Sequence, residues 1–511
     1  MEAPERRAVM VWFRQDLRLG DNPALTYAAK QGPVLPVYCV SWQAADPWAP
    51  GRAAAWWLAR SLAGLAKDLA ALGAPLFFLE GDPREALVRL AVECRVTEVV
   101  WNRLHEPFAR RLEAEVAARL AREGITVRDF PGALLFEPAE HLTRAGKAFT
   151  QFGAFWRSCL AASQPEAPLP VPGRLVATEY RGRDEVWPGI VGRRPSVASA
   201  EGTPLDLVWE ERAVPIVVDA MPWEPGEAGA TRRLERFLAE GLEGYARGRD
   251  FPAEEAVSRL SPHLHFGEIS PRQVWWAVVQ AGLVGHRPTT SRSGLPADDA
   301  PFEGAGPAGS VKKTAGATGH TDGVAAFLRQ LGWREFAHYL LHHFPSTPTD
   351  PFRSEFARFP WVQDDQALAA WQQGLTGFPL VDAGMRQLSV EGWMHNRVRM
   401  VVASFLTKDL LIPWQVGAAW FWEHLVDADL ANNTLGWQWT AGCGPDAAPY
   451  FRIYNPELQA KRFDPDGSYV RRWLDNVRGG EGGGHGSVRP IVDHALARAR
   501  ALAAFRGVRG R

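Results

Sequence analysis

The sequence predicts an α/β amino-terminal domain built on a doubly wound parallel sheet, joined by a long linker to an all-α carboxy-terminal domain. Over the first 130 residues, short apolar runs rich in β-branched side chains alternate with helical patterns, whereas helical periodicity dominates after Thr231. Such alternation is typical of a parallel sheet with helices on both faces. We therefore assign residues 1–135 to the first domain, 136–230 to the linker and 231–511 to the helical domain.

Five apolar segments of the first domain have the length and composition of buried parallel strands: AVMVWF, PVLPVYCV, PLFFLE, TEVVWN and ITVRDF. Between them, two segments repeat apolar residues every three to four positions and end at Gly73 and Gly124, as helices often do. The turn after the first strand reads FRQDLRLGDNPAL. It lacks GxGxxG and GxxxxGK[ST], so a standard dinucleotide or nucleoside triphosphate site is not indicated. We expect its charged residues to form a solvated loop and a helix start.

Two other segments have little hydrophobic periodicity. The stretch from about Ala161 to Glu227 is rich in proline and glycine and is predicted to run over the surface as a connection. Residues 285–323 are rich in small residues and are predicted to be a disordered insertion. Insertions of this composition are usually tolerated loops, and binding of a partner is the alternative.

Composition limits the class of protein. A chain of 511 residues with 46% hydrophobic and 23% charged content is globular and long enough for two or three domains. The net charge of −1 predicts no general affinity for polyanions, so a nucleic-acid site would have to be a local basic face. We expect a monomer.

The cysteines and the apolar runs indicate the cellular compartment of the protein. Four cysteines lie far apart without a CxxC motif, which argues against a disulfide framework or a zinc site, and we expect no metal: Cys39, Cys94, Cys159 and Cys443. A reducing cytoplasm fits this pattern. The chain has neither a secretory signal nor an apolar run of about 18 residues, so we expect neither export nor a membrane partner.

The segment from Trp393 to Arg452 places polar groups at helical spacing in an otherwise apolar region. In WMHNRVRM, Asn396 and Met400 lie one helical turn apart. Six polar residues of the segment would each cost several kcal/mol if buried without a partner: Arg397, Arg399, Asp427, Asp429, Asn432 and Asn433. Their density implies mutual pairing or a bound polar ligand, and we favour the ligand.

Two shorter patterns also contain candidate binding or catalytic residues. Ser258 and Ser261 lie beside a predicted helix start, where hydroxyls and free backbone amides can hold a phosphate, although ordinary helix capping is the alternative. Asp427 and Asp429 precede two asparagines. A carboxylate pair of this kind could be a general acid/base dyad, a metal site or a set of fixed hydrogen-bond acceptors.

The motifs WMHNRVRM, DADLANN, GWQW and DAAPYFRIYNP resemble those of the photolyase and cryptochrome family, and their variants are most similar to its cyclobutane pyrimidine dimer photolyases. The resemblance extends from about Ala8 to Arg478 and resumes in RPIVDHALARARALAAF. It implies that the helical domain binds FAD and that damaged DNA is the partner. The implied reaction is light-dependent repair of cyclobutane pyrimidine dimers by electron transfer from photoexcited reduced FAD.

The resemblance also implies a set of cofactor-binding residues. In the family, the segment matching 257–261 grips the pyrophosphate of FAD, and the arginine matching Arg399 pairs with the aspartate matching Asp427. Here Val257 replaces the first hydroxyl residue of that segment, so one side-chain hydrogen bond is lost. The implied FAD-binding residues are Tyr245, Val257, Ser258, Arg259, Leu260, Ser261, Arg334, Asn396, Arg399, Asp427, Ala428, Asp429 and Asn433.

For the reaction itself, the resemblance implies an electron relay from the flavin to the surface through Trp437, Trp414 and Trp361. Individually, each of these tryptophans could equally be core. Asn433 is expected to face the flavin ring nitrogen that gains or loses a proton. A neutral amide there is typical of the repair enzymes.

On the substrate side, two aromatic planes are expected to clasp a lesion after it has swung out of the duplex. Gln330 stands where the family commonly has glutamate, so it offers hydrogen bonds without a charge. Lys461 neighbours the implied phosphate contacts. The implied DNA and substrate contacts are Arg249, Gln330, Trp333, Asn396, Arg397, Met400, Trp439, Arg452 and Gln459.

The identity of a second, light-harvesting chromophore stays open. Relatives can hold a folate or a deazaflavin in or beside the α/β domain, but Phe108 and Ala109 stand where folate-binding relatives have polar contacts. Folate in that pose is therefore not favoured.

Three alternative functions remain. A (6-4) photolyase would typically have a second histidine at the position of Asn396. A cryptochrome photoreceptor would usually have a long tail, whereas only about thirty residues follow Arg478. A flavoprotein oxidoreductase that works without light would need a substrate or nicotinamide site, and no motif indicates one.

Overall fold

The computed structural model describes residues 8–40, 48–178, 223–284, 319–446, 451–475 and 489–509. Its first part is a five-stranded, all-parallel sheet in the order β3-β2-β1-β4-β5, which confirms the predicted doubly wound α/β fold. The strands are β1 (Val9–Phe13), β2 (Val34–Val40), β3 (Phe77–Glu80), β4 (Glu98–Asn102) and β5 (Thr126–Phe130). The helices between them are α1 (Pro23–Gln31), α2 (Arg52–Leu72), α3 (Pro83–Glu93) and α4 (Pro107–Arg122).

The central strand shows why this part of the chain forms a covered sheet. Val11 and Phe13 of β1 pack into a core with α1 and α2, whereas Met10 and Trp12 pack into a second core with α3 and α4. Successive side chains of a strand point to opposite faces, so a strand that is apolar at every position must be buried on both sides. The continuous run VMVWF therefore requires helices above and below the sheet.

The turn after β1 connects the two domains and is not solvated, contrary to the sequence-based expectation. Arg18 is 1% exposed and donates hydrogen bonds to the carbonyl oxygens of Gly132 and Gly267, at 2.8 and 2.9 Å. A third bond reaches the carbonyl oxygen of Asp21 at 2.8 Å. The expected helix start is present, because the Asn22 side chain caps α1. Asp16, Arg18 and Asp21 of this turn are buried, and the bond from Arg18 to Gly267 shows that the helical domain packs against it.

The second part of the chain is helical, as predicted. Its helices are α5 (Phe152–Ala162), α6 (Glu227–Arg236), α7 (Tyr245–Gly248), α8 (Ser261–His265), α9 (Pro271–Val284), α10 (Gly319–His343), α11 (Asp365–Gln373), α12 (Pro379–Glu391), α13 (Asn396–Ser404), α14 (Trp414–His424), α15 (Leu430–Ala441), α16 (Pro456–Phe463), α17 (Ser468–Asp475) and α18 (His494–Arg509). Wider π-helical turns extend α6 over Phe237–Gly241 and α13 over Phe405–Asp409. In the described part of the chain, no helix is both long and apolar enough to span a membrane.

The predicted linker and insertion are only partly covered by the described residues. Within the predicted linker 136–230, α5 forms a helix that the sequence reasoning did not foresee, and residues 179–222 lie outside the described ranges. Residues 285–318 of the predicted insertion lie outside them as well. The last five residues of that insertion, 319–323, belong to the first turns of α10.

Candidate functional site

A cavity of about 400 Å³ opens among α8, α10, α13 and α15, within the volume range of cofactor and ligand pockets. It brings together segments that are up to about 200 positions apart in the sequence. The predicted site residues that line it are Tyr245, Ser258, Leu260, Ser261, Gln330, Trp333, Arg334, Asn396, Arg399, Met400, Asp427, Asp429, Asn433, Trp437 and Trp439. Most of the predicted cofactor residues and about half of the predicted substrate residues therefore share one cavity.

Arg399 and Asp427 form an ion pair at the cavity wall. One guanidinium nitrogen of Arg399, Nη2, donates to both carboxylate oxygens of Asp427 at 2.9 and 3.1 Å. Its Nε donates to the carbonyl oxygen of Met394 at 2.7 Å, which holds the guanidinium in place. A charge that is already paired and oriented suits a fixed acceptor better than a general acid or base.

Asp429 is held from both sides. Its Oδ1 accepts hydrogen bonds from the backbone amide and the side-chain amide of Asn432, both at 2.8 Å, and so caps the start of α15. Its Oδ2 lies 3.3 Å from His338 Nε2 and 3.6 Å from His265 Nδ1. Burial would raise the pKa of Asp429, but the two imidazoles outweigh it and hold this pKa well below its usual range. Asp429 therefore presents a negative charge to the cavity.

Asn433 and Trp437 lie on consecutive turns of α15 and face α14. The side-chain Nδ2 of Asn433 donates to the carbonyl oxygen of Ala418 at 3.1 Å, which leaves its carbonyl oxygen available to the cavity. The indole of Trp437 packs edge-on against Phe421, with ring centroids 5.0 Å apart. Trp371 contacts the same indole at 6.3 Å, a contact that the sequence analysis did not foresee.

The other two tryptophans of the expected relay lie away from the cavity. Trp414 starts α14 and is 1% exposed within the largest apolar core. Trp361 is only partly buried and packs against Phe359, with ring centroids 4.4 Å apart. Burial thus decreases from Trp414 to Trp361, in the direction that a relay ending at solvent requires.

The segment 257–261 reaches the cavity with only some of its residues. The hydroxyl of Ser261 accepts from Trp393 Nε1 at 3.3 Å, and that of Ser258 accepts from the Leu260 amide at 3.4 Å. Neither hydroxyl caps α8, whose N-cap is Leu260 without a side-chain bond. The ordinary capping alternative is therefore not what the structure shows.

Three predicted cofactor residues are not part of the cavity lining. Val257 packs against two apolar cores, and Ala428 is buried in a third. Arg259 has a left-handed backbone with φ of +51°. Its guanidinium lies 4.7 Å from the ring centroid of Trp393 and 3.4 Å from Glu391. These three side chains therefore pack outside the cavity lining and do not face the cavity.

The expected lesion clasp is supported by the segment that was predicted to be a linker. Trp333 stacks on Phe152 of α5, with ring centroids 4.0 Å apart and planes 10° from parallel. Across the cavity, the guanidinium of Arg452 lies 5.8 Å from the ring of Trp439. Stacking fixes the orientation of both indoles before any substrate arrives.

The expected phosphate contacts differ in accessibility. Arg397 is 6% exposed, donates to Asp250 at 2.7 Å and lies over the ring of Phe463 at 4.3 Å. Its charge is therefore buried and paired, which does not suit the surface phosphate contact that the sequence analysis expected. Arg249, Arg452 and Gln459 are partly exposed, and Lys461 is exposed.

Several residues at this site were missed by sequence reasoning. Histidines within apolar stretches were the available signal for His265 and His338, but their spacing matches no motif. Phe327, Leu331 and Phe421 line the cavity and would have been assigned to the core from their apolar periodicity alone.

Comparisons with known proteins agree with this arrangement. A family model described as DNA photolyase matches residues 9–173, and one described as the FAD binding domain of DNA photolyase matches residues 327–483. Deoxyribodipyrimidine photo-lyase of Agrobacterium fabrum is 39% identical, over 98% of each chain. Cryptochrome-2 of Arabidopsis thaliana is 36% identical over 92% of this chain and 71% of its own length.

Solved structures show the same relationship. The crystal structure of a bacterial class III photolyase from Agrobacterium tumefaciens superposes with a TM-score of 0.83 and 38% identity, covering 100% of this chain and 99% of that one. An archaeal photolyase from Sulfolobus tokodaii, described with two FAD molecules, shares the fold with a TM-score of 0.75 at 24% identity, over 98% and 100% of the two chains. The sequence resemblance is thereby confirmed, and the chain belongs to the DNA photolyase and cryptochrome family.

Proposed function

We propose that this protein is a deoxyribodipyrimidine photo-lyase, which uses light to split cyclobutane pyrimidine dimers in DNA. The main support for this function is that one cavity contains all the groups it needs. The Arg399–Asp427 ion pair, the neutral amide of Asn433 and the indoles of Trp333 and Trp439 line that cavity together. Relatives named deoxyribodipyrimidine photo-lyase match nearly the whole chain.

The residues of the cavity fit FAD. The free carbonyl oxygen of Asn433 and the Arg399–Asp427 pair offer the acceptors and the donor that a flavin ring requires, and the hydroxyls of Ser258 and Ser261 line the same cavity. Light-driven donation of one electron to the dimer, with return of that electron after the ring has split, is the chemistry that FAD supplies when bound. The protein orients the partners and excludes water.

On the substrate side, Trp333 and Trp439 provide flat apolar surfaces for two linked neighbouring pyrimidines that have left the stack. Gln330 lines the same cavity and donates and accepts hydrogen bonds without adding a charge. Arg452, beside Trp439, is better placed for a phosphate contact than Arg397, because Arg397 is buried in its pair with Asp250. The tryptophans Trp437, Trp414 and Trp361 return electrons to the flavin site from the surface.

A cryptochrome-type photoreceptor is the second candidate, and the 36% identity to Cryptochrome-2 of Arabidopsis thaliana favours it. The neutral Asn433 supports repair, because plant cryptochromes carry aspartate at that place. A (6-4) photolyase is disfavoured because Asn396 replaces the second histidine.

One experiment separates these functions. The reduced protein is mixed with an oligonucleotide that carries a single cyclobutane thymine dimer, and restored thymines are measured after illumination and in the dark. We expect restoration only in the light. A (6-4) photoproduct oligonucleotide is the substrate control. Light-driven reduction of the flavin without restoration of thymines would assign the protein to the photoreceptors.

We further propose that the protein acts as a monomer in the cytoplasm. The four cysteines are unpaired in the structure, which fits a reducing compartment. The second chromophore, if the protein holds one, is a folate or a deazaflavin bound in or beside the α/β domain.

A further inference from the structure

A cluster of buried ligand-type side chains lies where the two domains meet, beneath the cavity. Glu106 precedes α4 of the α/β domain, His338 lies on α10 and Asp429 precedes α15. One ligand atom from each of these three residues lies within 4.8 Å of the other two. All three residues are at least 95% buried. We call these three residues the interdomain cluster.

Two imidazole nitrogens flank the Asp429 carboxylate without a hydrogen bond, one from His338 of the cluster and one from the neighbouring His265. His338 Nε2 and His265 Nδ1 are buried atoms without a hydrogen bond, although they lie 3.3 and 3.6 Å from the same carboxylate oxygen of Asp429. His265 is 9% exposed. An imidazole that needed only a hydrogen bond would turn its nitrogen toward the carboxylate oxygen. A nitrogen that does not do so is expected where the nitrogen and the oxygen both bind a metal ion.

The distances agree with four-coordinate metal geometry. With metal–nitrogen and metal–oxygen bonds of about 2.0–2.1 Å, two ligand atoms of a tetrahedral site lie about 3.3 Å apart. The His338–Asp429 distance of 3.3 Å equals such an edge. A hollow of about 10 Å³, the size of one water molecule, is lined by Glu106, His265 and His338.

Charge and ligand type point to a transition-metal dication. Two buried carboxylates within 4.8 Å of each other repel, and a dication between them would offset that repulsion. Imidazole nitrogen combined with carboxylate oxygen suits Zn²⁺, whereas Ca²⁺ and Mg²⁺ prefer oxygen ligands alone. The carboxylate of Glu106 is available, because it makes no capping bond to α4.

We propose that Glu106, His338 and Asp429 bind one Zn²⁺ ion, with water as the fourth ligand, and that this ion joins the α/β domain to the wall of the cavity. Because Asp429 caps α15 through Oδ1, its Oδ2 is the oxygen left for the metal. The ion fixes the Asp429 carboxylate beside the cavity and ties α4 to α10. This site is independent of the four cysteines and goes beyond the proposed repair activity.

The test measures zinc in the full-length protein with its flavin. The protein is stripped with a chelator and dialysed to equilibrium against buffered free Zn²⁺, and bound metal is then measured by mass spectrometry. We expect about one Zn²⁺ per chain in the parent. Loss of an outer-shell partner alone weakens metal sites by about 10–100-fold, so loss of a direct ligand in Glu106→Gln or His338→Ala should weaken binding at least that much.

His342→Ala is the matched control, because His342 lies one helical turn beyond His338 and is not a ligand in the proposed site. It should bind zinc like the parent. Glu106→Gln keeps the size and shape of the side chain, so it tests zinc binding even if His338→Ala fails to fold. Flavin absorbance reports folding in each variant. Less than about a tenth of an equivalent of bound zinc in the parent, or parental binding by Glu106→Gln, would overturn the proposal. Neither result depends on repair activity.

Discussion

The backbone of Gly417 on α14 lies directly against the indole of Trp437 on α15. A Cβ atom at position 417 would stand 2.1 Å from Cη2 and 2.4 Å from Cζ3 of that indole. Glycine is therefore required at this position by close approach, since it adopts no unusual backbone angle there. The contact sets the distance between two helices that each carry one tryptophan of the proposed relay.

The substitution Gly417→Ala should displace Trp437 and slow light-driven reduction of the oxidised flavin. An added methyl in a packed core typically costs about 1–3 kcal/mol, so the fold should survive. Photoreduction by an external thiol is measured by flavin absorbance. The matched control is Gly64→Ala on α2, outside the cavity lining, where an added Cβ also meets nothing within 4 Å. Equal rates in both variants would show that this contact does not position Trp437.

The fold was predictable from the sequence where a pattern is local. Runs such as VMVWF are apolar at every position and identify strands covered on both faces. The helix α5 was missed because it lies in a region whose proline and glycine content indicated a connection. The burial of Arg18 was missed for a different reason, because its partners Gly132 and Gly267 lie more than 100 positions away.

The residues of the site could be predicted from family motifs, but their arrangement could not be predicted from the polarity of the segment alone. The density of polar residues between Trp393 and Arg452 indicated a buried ligand, but a composition argument says nothing about distances. Arg397 was assigned to the DNA surface, and its pair with Asp250 could not be foreseen because those residues are distant in sequence. The interdomain cluster could not be foreseen for the same reason, since the fold brings its three ligands together from three separate segments.

Arg18 should contribute strongly to stability, because it satisfies carbonyl oxygens in three segments at once. Burial lowers the pKa of Arg18, and three neighbouring carboxylates partly offset this effect. Breaking a buried charged network typically costs about 3–5 kcal/mol, so Arg18→Met should lower the midpoint of thermal unfolding by several degrees. The matched control is Arg232→Met, whose ion pair with Glu224 is exposed. Similar midpoints for the two variants would contradict the interdomain role of Arg18.

Stability should decrease as the pH falls from about 6.5 to 4. Burial, together with the charges of Arg110, His343 and His105, lowers the pKa of His342 to about 4. The unfolded chain binds a proton near pH 6.5, whereas folded His342 does not until about pH 4, so protons favour unfolding in that interval. His342→Gln should flatten the dependence of the urea midpoint on pH between those values. An unchanged slope would exclude His342 as a contributor.

Arg452 should contribute to DNA binding through its charge, whereas Arg397 should act mainly through stability. Removing one phosphate contact typically reduces the slope of log K against log salt by about 1, which we expect for Arg452→Met in titrations with dimer-containing duplex. Arg397→Met leaves Asp250 without its 2.7 Å partner and should lower the unfolding midpoint instead. A reduced salt slope in Arg397→Met, with normal stability, would show that Arg397 leaves its pair to meet DNA.

Trp414 should be necessary for rapid photoreduction, because it is buried in the same apolar core as the cavity tryptophan Trp437, and the more exposed Trp361 packs against that core. An indole is easier to oxidise than a phenyl ring, so Trp414→Phe keeps an aromatic core residue while it interrupts stepwise electron transfer. We expect flavin reduction by an external thiol in light to slow by at least about tenfold, a barrier increase of about 1.4 kcal/mol.

Trp371 offers a second aromatic contact to Trp437, with ring centroids 6.3 Å apart, so Trp371→Phe is the informative comparison. If electrons leave through Trp414 and Trp361, this variant should photoreduce at nearly the parental rate. Slow photoreduction in Trp371→Phe together with parental photoreduction in Trp414→Phe would move the relay to Trp371. Dimer repair by enzyme reduced beforehand with dithionite should be nearly unaffected by Trp414→Phe, because the relay supplies electrons to the flavin and takes no part in splitting the dimer.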